Sequence, residues 1–114
     1  MNTGTAASRT IAVRAWTPVL TAAGAVGQEL GEQILALAHQ VAANPLRGPL
    51  TDPGRAPEDK AALAARLFTG RVDERVVDLL RVLVRERWSR PVDLITALHD
   101  MGIQSVLAGA RGRH

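Results

Sequence analysis

Three histidines, a serine beside an aspartate, scattered carboxylates and several glycines are the residues of this chain that could do chemistry. His39, His99 and His114 share no metal-ligand spacing with one another or with a pair of carboxylates, so each reads as a surface or boundary residue of an amphipathic helix. Ser89 lies near Asp93, but no histidine is placed to activate it, and capping a helix is the simpler use of a serine there. The glycines form neither the G-x-x-x-x-G-K-S/T loop that cradles phosphates nor the G-x-G-x-x-G turn of dinucleotide sites. Acids alternate with arginines as surface ion pairs do, with no couple of carboxylates set to share a proton. These residue types predict no catalytic centre, no metal and no cofactor.

If the chemistry is not catalytic, the informative features are the elements. The stretch VDERVVDLLRVLVRERW, Val72 to Trp88, organises the rest. At about 100° per residue, Glu74, Asp78, Arg81 and Arg85 fall together with Arg75 and Glu86 beside them. Val76, Val77, Leu79, Leu80, Leu83, Val84 and Trp88 then cover an arc of roughly 180°, wider than the roughly 100° stripe with which a surface helix meets one core. A helix this apolar either lies between two layers of its own domain or leaves part of its face for a partner.

Composition bounds the choices. The 114 residues make one domain with one core, 46% hydrophobic but only 3% aromatic, so Leu, Val, Ile and Ala must fill it. There is no cysteine, which removes disulfides, thiolate catalysis and cysteine zinc sites. No apolar run approaches the roughly 18 residues that span a bilayer, and MNTGTAASRT carries no hydrophobic signal core. The formal charge of +3 invites a small basic helical nucleic-acid-binding protein as the alternative reading. Against it, Lys60 is the only lysine, arginines are interleaved with acids at Asp73, Glu74, Asp78 and Glu86, and the RGR of Arg111 to Arg113 is the one pair of bases two residues apart with no acid between them.

In chain order, residues 1–7 are small and polar and read as a disordered N-terminus. A first helix from near Ser8 repeats Ala12, Trp16 and Leu20, and beside them Ile11, Ala15 and Val19; Pro18 is expected to kink it, the alternative being a fresh start there capped by Thr17. Gly24 and Gly27 mark a turn or a close approach of helices. Leu30, Ile34, Leu37 and Val41 form the stripe of a second helix, which Asn44 and Pro45 stop. Leu46 to Lys60 holds at most a short turn around Leu46 to Leu50. Pro57, Glu58 and Asp59 open a helix that closes at Gly70, Asp73 caps the central helix, and Ser89 with Pro91 starts the last one, with a break expected at Gly102. With no strand-like alternation anywhere, the fold class is all-α, a helical bundle over residues 8–109 with a frayed tail at 110–114.

The ordered series LGEQILALAHQVAANP, PLTDP, EDKAALAARLFTGRV, VVDLLRVLVRERWS and DLITAL resembles the N-terminal domain of the delta subunit of F-type ATP synthase, the oligomycin-sensitivity-conferring protein of mitochondria. RERWS followed by a helix beginning DL, in an arginine-rich chain, is similar to the high-GC Gram-positive branch. The resemblance implies a six-helix bundle seated on the catalytic head, a non-enzymatic adaptor of the peripheral stalk at the cytoplasmic face of the plasma membrane, with no direct membrane insertion and no nucleic acid. It further implies that helices one and five form a groove for the N-terminal helix of an alpha subunit, holding the head stationary during proton-driven ATP synthesis. Trp16, Val19 and Leu20 of the first helix, with Val76, Leu80, Leu83 and Arg87 of the fifth, are the candidate groove residues. Core packing is the alternative for each apolar one. Such subunits continue into a C-terminal domain that meets the b subunits; this chain stops at His114, as an excised domain or a short protein would, and fusion of delta to a b subunit is a further option.

Overall fold

A computed structural model of the chain describes residues 3–43, 47–52, 54–88 and 90–111. Helix α1 spans Thr3–Ala23, starting ahead of the position near Ser8 that the sequence predicts. It passes through Pro18, whose ring cannot donate to the carbonyl one turn back. Beside that gap the Thr17 hydroxyl donates to the Val13 carbonyl at 2.8 Å, so Thr17 serves a continuing helix and does not cap a fresh one. Gly24 then turns the chain at φ +56°, a backbone region open to glycine at no steric penalty. A 3-10 turn at Gly24–Val26 leads into α2, Gly27–Ala42. The short α3 is Arg47–Thr51, α4 is Pro57–Phe68, α5 is Glu74–Arg85 and α6 is Pro91–Arg111. Every regular element among the described residues is helical, and five of them have twelve residues or more.

Local signals set most of these ends. Pro57 occupies the first turn of α4 with Glu58 and Asp59 beside it, where a missing N–H goes unnoticed and acids complement the helix dipole. Gly70, at φ +84°, turns the chain after that helix. The Asp73 carboxylate accepts from the Arg75 backbone N–H at 2.9 Å and caps α5. The expected stop at Asn44 and Pro45, the expected cap at Ser89 and the tail beyond Arg111 lie outside the described residues.

The core joins α2, α4, α5 and α6 through Leu30, Ile34, Leu37, Phe68, Leu80, Leu83, Leu94 and Leu98, all essentially without solvent contact. Burying each such side chain contributes about 2 kcal/mol before conformational entropy is counted. The most extensive pairing, α2 against α6, is made backbone to backbone. A Cβ on Gly31 would lie 2.5 Å from the Val106 nitrogen and 2.6 Å from the Gly102 oxygen, and one on Gly109 would lie 2.0 Å from the Gln28 nitrogen. Gly102 does not break the last helix, contrary to the break its sequence context predicts; it is buried within α6, where a Cβ would meet the Leu35 side chain of α2 at 2.8 Å.

The central helix is shorter than its periodicity predicts. It ends at Arg85, and Glu86 is extended at ψ 163°. Past that point Trp88 folds back, its indole N–H donating at 2.7 Å to the Leu83 carbonyl, which also accepts from the Glu86 backbone N–H at 3.2 Å. Trp88 and Arg87 thus lie outside α5, and without Trp88 the apolar arc is narrower.

Candidate functional site

The described residues contain no group of three or more His, Cys, Asp or Glu placed to hold a metal. What the surface does contain is a helix flanked by two clefts. α1 packs against α5 on one side and α6 on the other. Its Trp16 forms a wall common to both clefts and is only 5% exposed. The indole N–H donates to Ser105 Oγ at 2.8 Å, and that hydroxyl donates to the Met101 carbonyl at 2.7 Å, so both buried polar groups are satisfied and the ring is fixed.

Between α1 and α5 runs a shallow groove of about 90 Å³. Ala15, Trp16 and Val19 line it from α1, and Leu79 and Val82 from α5, with Arg75 and Asp78 on its edge. Those edge charges are already paired. Arg75 holds both oxygens of Asp73 at 2.9 Å, and Asp78 lies 3.6 Å from Arg81. The same Arg75 contact is the main reason the Asp73 carboxyl is held down at about 2. An apolar floor with a paired charged rim can seat apolar side chains of a partner.

The candidates from the sequence divide accordingly. Trp16 and Val19 line the α1/α5 groove. Leu20 turns to the other cleft, between α1 and α6. Val76, Leu80 and Leu83 have no exposed surface at all in the free chain and belong to the core. Arg87 is exposed in the extended segment after α5 and lines neither cleft, its carbonyl accepting from Ser8 Oγ at 2.6 Å. The wide apolar arc of α5 is thereby explained by its own domain. Val76, Val77, Leu79, Leu80, Leu83 and Val84 are all buried, because α4 covers one flank of the helix and α1 the other. The apolar groove residues that the sequence reading did not name as candidates are Ala15, Leu79 and, least expected, Val82. The signal for Val82 was present: on the helical wheel it is the lone apolar side chain between Asp78 and Arg75 on the charged face.

Fold and site define a class, an all-helical module with an apolar inter-helix groove. The chain is a homologue of the N-terminal part of ATP synthase delta subunits, mostly those of high-GC actinobacteria. It is 38% identical over 114 residues to ATP synthase subunit delta of Beutenbergia cavernae, a match covering 99% of this chain and 42% of that protein. It is 40% identical over 91 residues to the same subunit of Streptomyces coelicolor, covering 80% of this chain and 32% of the relative. The delta subunit of a Parafrankia species is 36% identical over 97 residues, covering 82% and 35%. The chain thus spans less than half the length of the curated relatives it matches. No protein-family model matches it, and neither does any solved structure.

Proposed function

We propose that this chain is the head-facing bundle of an F-type ATP synthase peripheral stalk, and that its α1/α5 groove receives the amphipathic N-terminal helix of an alpha subunit. The homology indicates a structural subunit, not a catalytic one. The observation that carries the finer reading is the apolar groove between α1 and α5. It exposes parts of Ala15, Val19 and Val82 over a floor closed by Trp16 and Leu79. Helix-in-groove recognition places residues spaced i, i+3 and i+4 into such a trough. Mechanically, a bundle that grips the head and is continued by a stalk keeps the head from turning with the rotor. The complex is membrane-associated, and no helix among the described residues is long and apolar enough to cross a bilayer. The stalk's b subunits are reached, on this reading, through the part of the longer relatives that this chain does not span.

The test is calorimetric titration with a peptide copying the N-terminal helix of the same organism's alpha subunit. One-to-one binding is expected, weakened at least tenfold by Val82→Asp with circular dichroism unchanged. Leu83→Asp is the wrong probe, because it inserts a charge into the core and unfolds the domain. A well-folded chain that does not bind the peptide would overturn the reading.

A further inference from the structure

The larger of the two clefts, between α1 and α6, is not used by the function proposed above. It encloses about 620 Å³, within the range of pockets that bind other molecules. Val13, Trp16 and Leu20 form one wall and Met101, Ile103 and Ala108 the other. The apolar residues here are not isolated surface positions. Val13 is 43% exposed and Ile103 39%, on the facing helices of the cleft. From Arg9 to Leu20 the α1 wall is about 17 Å long at a helical rise of 1.5 Å per residue, three turns of a docked helix.

Charge decides what kind of helix fits. Arg9 closes one end of the cleft and is paired with Asp100. Arg111 stands at the other end and has no acidic partner among the described residues. Asp100 is the single acid on the lining, so the cleft carries a net positive charge, in a chain of formal charge +3. We propose that the α1/α6 cleft is a second docking site, for an amphipathic helix of about three turns whose polar face is acidic. Its apolar face covers Val13, Leu20 and Ile103, and a carboxylate pairs with Arg111. This site is independent of the α1/α5 reading, since Leu79 and Val82 take no part in it.

The probe is a capped 14-residue peptide with leucine at positions 1, 4, 5, 8 and 12 and glutamate or glutamine elsewhere, titrated into the whole chain by calorimetry. A second peptide carries lysine in place of glutamate. Saturable one-to-one binding of the acidic peptide is expected. Ile103→Asp and Arg111→Glu should each weaken it at least tenfold, Val82→Asp should leave it unchanged, and the lysine peptide should bind at least tenfold more weakly. Both substituted positions in the cleft are exposed, so the variants keep the fold, which circular dichroism checks. Four results would overturn the proposal. They are no binding of the acidic peptide, equal binding of both peptides, loss of binding in Val82→Asp but not in Ile103→Asp, or a dimer of the free chain that Ile103→Asp dissociates. The last would make the occupant a second copy. Failure here leaves alpha-subunit binding at the α1/α5 groove to be judged by its own peptide and by Val82→Asp.

Discussion

At the scale of residues, two ionisable groups give the fold a readable pH response. Asp73 caps α5 and is held at about 2 by Arg75, well below the ordinary carboxylate range. A folded-state value lowered in this way stabilises the native chain above the ordinary carboxylate pKa, and that contribution is lost as pH falls from about 4 toward 2. Asp73→Ala should cost about 1 kcal/mol at pH 7, as lost N-caps do, and the cost should shrink as pH falls through that window in urea titrations. Lys60 behaves oppositely. It is 5% exposed, and burial pushes its ammonium down, with Asp52 opposing and Arg87 adding to the fall. A base lowered in the fold leaves the unfolded chain holding more protons, so its contribution to stability improves as pH rises through the folded value toward the ordinary lysine range. Lys60→Met should therefore raise the thermal midpoint at pH 7, by an amount that diminishes toward pH 10. A fall in the midpoint at pH 7 would show that the ammonium is held by more than it loses to burial.

At the scale of elements, the bundle rests on the α2/α6 crossing, and its stability hangs on hydrogen atoms where side chains would be. Gly31→Ala places a methyl group 2.5 Å from a backbone nitrogen of α6. Backbone cannot swing aside as a flexible side chain can, so the helices must separate, at an expected loss of about 2 kcal/mol or more in urea unfolding. A loss under about 0.5 kcal/mol would mean that α2 and α6 are not held this close. The helices and their caps were legible in the sequence because each rests on local chemistry: Pro57 with its acids, Asp73 one residue ahead of α5, the four-three-four spacing of Leu30, Ile34, Leu37 and Val41. What required the structure was which neighbour each face meets. Gly102 has the sequence context of a helix breaker, and only the approach of α2 makes it a packing residue. Val76, Leu80 and Leu83 had the same apolar character whether they faced a partner or the core, since periodicity defines a face without saying what covers it. Trp88 fits the same helical wheel, yet its indole bond to Leu83 draws it out of the helix.

At the scale of the whole molecule, the chain offers apolar troughs on both sides of α1 and, among its described residues, no group of three or more His, Cys, Asp or Glu that could hold a metal. An adaptor needs surfaces of this kind, and the two should answer differently to salt. The rim of the α1/α5 groove is internally paired, so binding there should change little between low and high ionic strength, whereas the Arg111 end of the other cleft should lose affinity as charges are screened. The most direct measurement is an amide chemical-shift map of the labelled chain during titration with the alpha-subunit peptide. Shifts concentrated on Ala15 to Val19 and Arg75 to Val82, saturating at one equivalent, are the predicted result. No shifts at saturating peptide, or shifts confined to α6 and the α6-facing side of α1, would contradict the assignment of that groove to the catalytic head.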